Sequence, residues 1–144
     1  MALAFYILVA VVVGLAAGLQ VVVNSNLNKS ADLPLTTLMV NIIALVTVLV
    51  IYLAFSRQNP AVLKNADWYA FTGGLLGVII VMGSTFLIPR LGVTITTGII
   101  IVTQLTFALL ADHLGLLGIR HISLDPTRIG GLLLMVAGIY LFFR

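Results

Sequence analysis

The 144-residue sequence contains no cysteine and no glutamate, and its only carboxylate side chains are four aspartates. Without thiols there is no disulfide framework, no thiol nucleophile and no thiolate metal site. No two aspartates lie within a helical turn or two of each other, which removes paired-carboxylate acid/base chemistry and a carboxylate metal cluster. No GxGxxG, P-loop, HExxH or Ser/His/Asp arrangement occurs in a useful context, and Ser84, Ser123 and the histidines assemble no catalytic set. No enzymatic activity, cofactor or metal is therefore expected. Charge itself is scarce: 8% of residues are charged, where a soluble domain carries about 25%. The net charge of +3 comes from seven basic residues scattered along the chain. They form no patch for nucleic acid, and anionic lipid headgroups are their natural counterpart.

What remains is hydrophobic: 62% of residues are apolar and the mean hydropathy is +1.27. Long apolar runs separated by short polar gaps favour bundled membrane helices over the alternating strands of a lipid-embedded barrel. The reading is an all-α polytopic membrane protein, a single integral membrane domain over residues 1–144 with five transmembrane helices at about 4–24, 34–55, 68–88, 92–111 and 127–143. A bilayer core of ~30 Å needs ~20 residues, so the fifth run, at 17, has to stand almost upright or use a thinner bilayer. The first run lacks a basic leader and a small-residue cleavage site, and reads as a retained helix. Pro34 suits a first helical turn, and Asp67 and Asp125 precede helix starts as N-caps. Segment 112–126 is too apolar for an ordinary exposed loop and too short to span; it lies in the interface or folds back on the bundle.

Orientation is weakly encoded. Arg57, Lys64, Arg120 and Arg128 fall on the N-terminal side and Lys29, Arg90 and Arg144 on the other, four against three. Copies inserting both ways round, and hence an antiparallel pair, are compatible with that balance. A faint repeat runs at an offset of 60 residues, aligning Gly14, Thr36 and Thr37 with Gly74, Thr96 and Thr97. Internal repeats are common in secondary transporters, although an alphabet of Leu, Val, Ile and Gly also matches itself by chance.

The polar residues inside the apolar runs are the candidate functional set. An unpaired amide in hydrocarbon costs several kcal/mol and must face protein or water; Gln20, Asn24, Asn41 and Gln104 meet that condition. Helix four carries a polar stripe, since Thr96 and Thr103, and likewise Thr97 and Gln104, fall within about 20° of each other around the axis. Each threonine can also satisfy itself on its own i−4 carbonyl. Gln20, Asn24, Asn41, Thr97 and Gln104 are expected to line a substrate cleft between helices one, two and four, the alternative being structural interhelical hydrogen bonds. Gly14 and Gly18, with Gly73 and Gly77, form small-residue ridges suited to helix packing. Asp112 beside His113 is a candidate proton or cation relay, or an interfacial anchor. Asp112 sits at the unfavourable end of its helix for a negative charge, and His113 is the expected compensation. Arg90, Trp68 and Tyr69 read as interface residues.

Gln20 and Asn24 in helix one, Trp68 with Gly73, Gly74 and Gly77, the run Pro89-Arg90-Leu91-Gly92, Gln104, and Asp112-His113 with Gly115 occur in an order that resembles the small five-helix YdcZ-like family of the drug/metabolite transporter superfamily. The resemblance covers nearly the whole chain. It implies a DMT-like bundle in the bacterial cytoplasmic (inner) membrane, half the size of ten-helix relatives and working as a homodimer or as a heterodimer with a paralogue. It implies a transporter but names no substrate; the polar cleft read above makes secondary transport of a small polar, zwitterionic or cationic metabolite by alternating access the expectation. The alternative is a non-transporting membrane interaction or assembly subunit. Relatives that exchange protons for quaternary cations use a glutamate in the first helix, which this chain lacks. Coupling then falls to Asp112 and His113, or the carrier is uncoupled.

Overall fold

The computed structural model describes residues 2–143, so Arg144, counted above for orientation, lies outside the described residues. Five α-helices follow one another: α1 (Ala2–Leu27), α2 (Leu33–Phe55), α3 (Thr72–Leu91), α4 (Val93–Leu114) and α5 (Pro126–Phe142). No strand occurs among the described residues. Four segments are long and apolar enough to cross a membrane, Leu3–Leu27, Leu33–Phe55, Trp68–Leu91 and Val93–Leu114, while α5 is a shorter apolar helix of 17 residues.

The helix starts follow from local chemistry. Asp32 accepts a hydrogen bond from the Leu35 N–H at 2.9 Å, and Pro34 occupies the first turn of α2, where its missing N–H is not needed. Asp125 caps α5 in the same way through the Thr127 N–H at 2.9 Å. Asp67 behaves otherwise: it makes no side-chain cap bond, and its carboxylate accepts from the Tyr69 hydroxyl at 2.8 Å. Consequently Trp68–Phe71 form a 3₁₀ turn, and the third α-helix begins at Thr72 rather than 68.

The Pro89-Arg90-Leu91-Gly92 run is not the turn its composition suggests. α3 continues through Pro89 to Leu91, and Gly92 alone breaks the chain with φ of +81°, a conformation in which a side chain is strained. A proline's φ is compatible with a helix, and its cost is one missing donor. α2 and α4 begin at Leu33 and Val93, in phase with the 60-residue repeat.

The chain divides into two compact units, residues 1–89 and 90–144. In the first, α1 and α2 form an antiparallel hairpin closed by hydrogen bonds from Lys29 N to Asn26 O and from Ser30 N to Leu27 O. In the second, α4 packs along α5. Burial is inverted relative to a water-soluble fold. The buried apolar residues are Ile88 and Ala111, whereas Asn24, Thr36, Thr37, Ser84, Thr85 and Thr96 are buried polar residues. Leucines, valines and phenylalanines cover the outside. Such a surface suits lipid, where small and polar residues mediate helix contact.

Candidate functional site

Two groups stand out among the hydroxyl-bearing helical residues. Thr37, Thr47, Thr103 and Thr106 each donate to the carbonyl four residues earlier, at 2.8 to 2.9 Å, and Ser84 donates to Ile80 O at 2.8 Å. These hydroxyls satisfy themselves, so they can point along lipid or a packed helix without cost. Thr36, Thr85, Thr96 and Thr97 do not: each has a buried Oγ1 with no hydrogen-bond partner, and Thr36, Thr85 and Thr96 are at most 1% exposed. Thr36 and Thr96 are equivalent positions in the 60-residue repeat, as are the buried Asn24 and Ser84.

Within residues 1–89 the buried polar residues are Asn24 on α1, Thr36 and Thr37 on α2, and Ser84 and Thr85 on α3. Asn24 and Thr36 lie six residues to either side of Ser30 in the α1–α2 turn. Across from α2, α3 faces an open groove of about 300 Å³ lined by Pro34, Thr37, Leu38 and Asn41 on one side and Val78 and Met82 on the other. Pro89 has no N–H to give the carbonyl of Thr85 four residues earlier.

Of the residues expected to line a cleft, Asn24 is buried on α1. Asn41 is half-buried on the α2–α3 groove, its Nδ2 donating to Thr37 O at 2.8 Å. Gln20, on α1, is exposed. In the second unit Thr97 is half-buried with its hydroxyl unpartnered, and Gln104 is exposed at the midpoint of α4. Neither glutamine makes a side-chain hydrogen bond among the described residues. Each therefore offers a free carboxamide to whatever covers its helix face.

The end of α4 is organised by the segment that follows it. Gly115 ends the helix in a left-handed conformation (φ +60°), and residues 119–125 fold back so that Ile122 N donates to Asp112 O at 2.9 Å and Leu124 N approaches His113 Nδ1 at 3.4 Å. His113 and His121 rings come to lie 5.8 Å apart. Asp112 is compensated by Arg128 at 3.6 Å, from the first turn of α5, and not by its neighbour His113. The Thr127 backbone N–H and then its hydroxyl hold Asp125 below the usual carboxylate range; desolvation opposes them, and the nearby Arg128 adds a lesser lowering. Beside Arg128, a groove of about 260 Å³ runs between α4 and α5, lined by Leu105, Leu109, Gly131, Leu132 and Met135.

A β-carbon added at Gly14, Gly18, Gly73 or Gly77 would meet no atom of this chain within 4 Å. The close approach occurs at Gly98, where such an atom would lie 3.1 Å from Ile139 Cγ1. Gly98 was not singled out by spacing, because its contact is with a helix some forty residues later.

A family model described as "Putative inner membrane exporter, YdcZ" matches residues 5–141. No curated protein and no solved structure matches the chain.

Proposed function

The chain belongs to the YdcZ family of the drug/metabolite transporter superfamily, and on that premise we propose that it is a secondary transporter of a small polar, zwitterionic or cationic metabolite in the bacterial inner membrane. All five helices span in this reading, α5 standing nearly upright because 17 residues rise about 26 Å. Two copies, parallel or antiparallel, or one copy and a paralogue, would rock about a site near the midplane. The substrate crosses without covalent change.

One observation carries the proposal: Gln104 sits at the centre of a membrane-length helix, exposed and unpartnered within its own chain. Lipid cannot satisfy its carboxamide, and leaving it so costs several kcal/mol. A polar substrate path, completed by the partner, supplies what the amide lacks. Gln20, Asn24, Asn41 and Thr97 are the further candidates for that path, and Asp112 with His113 for coupling. The ridges at Gly14, Gly18, Gly73 and Gly77 would take up a second copy's helices.

The same amide would serve a non-transporting assembly subunit if it only tied helices together. A thermal-stability screen of purified protein against polar metabolites separates the two. A transporter's ligand raises the melting temperature of wild type by binding the folded state and leaves Gln104→Leu unmoved at unchanged oligomer size. In an assembly subunit the substitution dissociates the complex first, and no metabolite shifts either protein.

A further inference from the structure

In the α4–α5 unit an apolar groove meets a cation. Leu105 and Leu109 of α4 and Gly131, Leu132 and Met135 of α5 wall a groove of about 260 Å³, and Arg128 is its one charged lining residue. The helices run antiparallel with Asp112 against Arg128, so the groove leads from that pair past Leu109 and Gly131 to Leu105 and Met135. At 1.5 Å per residue, Arg128 to Met135 is a depth of ~10 Å. The 22 residues of α4 rise ~33 Å, just over the ~30 Å hydrocarbon core. Its end at Leu114, and with it the Asp112–Arg128 pair, therefore falls at headgroup level.

Size and charge together select the occupant. About 260 Å³ over that depth is a channel ~25 Å² in section, too narrow for a helix ~10 Å across but open to a single hydrocarbon chain. Gly131 leaves the room, since a β-carbon added there would meet no atom within 4 Å. Arg128 has donors to spare: its contact with Asp112, at 3.6 Å, is too long for a hydrogen bond, and its side chain makes no hydrogen bond among the described residues. Asp125, the other nearby carboxylate, accepts from the Thr127 N–H. A guanidinium fork suits a phosphate through paired N–H bonds. The groove between α2 and α3 has no charged lining residue.

We propose that the α4–α5 groove holds one acyl chain of an anionic phospholipid whose phosphate sits on Arg128. Basic positions at membrane-helix ends attract such headgroups, and Asp112 competes with the phosphate for the same guanidinium. The site needs only that this unit stand in a membrane, so it holds whether or not the protein moves a solute.

The test titrates phosphatidylglycerol, and phosphatidylcholine with the same acyl chains, into the purified full chain in neutral detergent and reads the melting temperature. The expected result is a saturable rise whose half-point is about fivefold lower for phosphatidylglycerol, roughly the factor one basic residue near anionic headgroups supplies. Arg128→Gln brings the two half-points together, and Asp112→Asn lowers that for phosphatidylglycerol further. Gly131→Leu, which fills the groove, abolishes the saturable response to either lipid; the other two variants decide the matter if it fails to fold. Equal half-points in wild type overturn the proposal without any variant. A preference that survives Arg128→Gln, a saturable rise that survives Gly131→Leu, or an unmoved or raised half-point in Asp112→Asn overturns the placement. Inorganic phosphate should leave the melting temperature unmoved, and a rise equal to the lipid's would assign Arg128 to a free anion and overturn the acyl-chain site. Dissociation of an oligomer by Gly131→Leu with no lipid response in wild type would put a second copy in the groove instead.

Discussion

In residues 1–89 the buried polar residues are hydroxyls and an amide carried by three helices; in residues 90–144 the contact between α4 and α5 is apolar and close, with Gly98 admitting Ile139 and an Asp112–Arg128 pair at one end. Thr96 and Thr97 carry the unpartnered pattern into the start of α4, but beyond them the helix relies on self-satisfied threonines. The contrast separates two uses of small residues in a membrane. A glycine against an isoleucine fixes one arrangement by shape, because packing is the main attraction lipid allows between helices. A buried hydroxyl without a partner instead carries a desolvation cost, so its worth to stability depends on what it can bond.

The largest effect should come from disturbing the shape-fixed contact. Gly98→Leu forces a side chain against Ile139 and should cost about 1–3 kcal/mol by overpacking, read from denaturant unfolding in detergent. Gly14→Leu, which meets nothing in its own chain, should leave the isolated chain's stability nearly unchanged. Equal losses at the two positions would erase the distinction.

Next come the unpartnered hydroxyls. Thr85→Val removes a buried hydroxyl that has no partner and should stabilise by about 1 kcal/mol, since such groups carry a desolvation cost of that order. Thr106→Val should change little, because its hydroxyl already bonds Val102 O at 2.8 Å. A destabilised Thr85→Val would mean that its oxygen is satisfied in the folded protein.

Those two threonines also show how far sequence carries. Helix existence, Pro34 in the first turn of α2, the Asp125 cap and the phase of α2 with α4 were legible because they depend on residues within a turn or two of each other; the Asp32 cap was not singled out, and the expected Asp67 cap gives way to a bond with the Tyr69 hydroxyl. The polar stripe of α4 was legible as a direction around the helix, but direction does not say which hydroxyl bonds its own backbone. Thr103 and Thr106 do so, whereas Thr96 and Thr97 do not, and that choice depends on side-chain geometry. Arg128 as the partner of Asp112 was hidden for another reason: the two meet only because Gly115 (φ +60°) and Gly118 (φ +79°) let the intervening chain turn back. Helix three reads from the sequence as ending at 88, before Pro89, yet α3 runs on to Leu91, the missing donor falling in its last turn.

The ion pair at the end of the α4–α5 unit should contribute less. With both side chains about a third exposed or more, Asp112→Asn should cost under ~1 kcal/mol, and the loss should fade with added salt. A salt-independent loss would mark Asp112 as part of a drier, functional site. The smallest effect is expected at Asp125. Its folded pKa lies below the ordinary value, so its contribution is fully present above the unfolded pKa and is lost as pH falls through the lowered folded value. Melting curves of wild type and Asp125→Asn should therefore keep a constant separation near neutrality and converge only in strong acid.

The most direct test of the account is flux in reconstituted vesicles. Using a metabolite identified by thermal shift, uptake by wild type and by Gln104→Leu is compared at matched protein density, with oligomer size measured on the same preparations. The account predicts uptake by wild type and background flux in Gln104→Leu at unchanged oligomer size. Undiminished uptake in the substituted protein, or loss of uptake only together with dissociation, would contradict it.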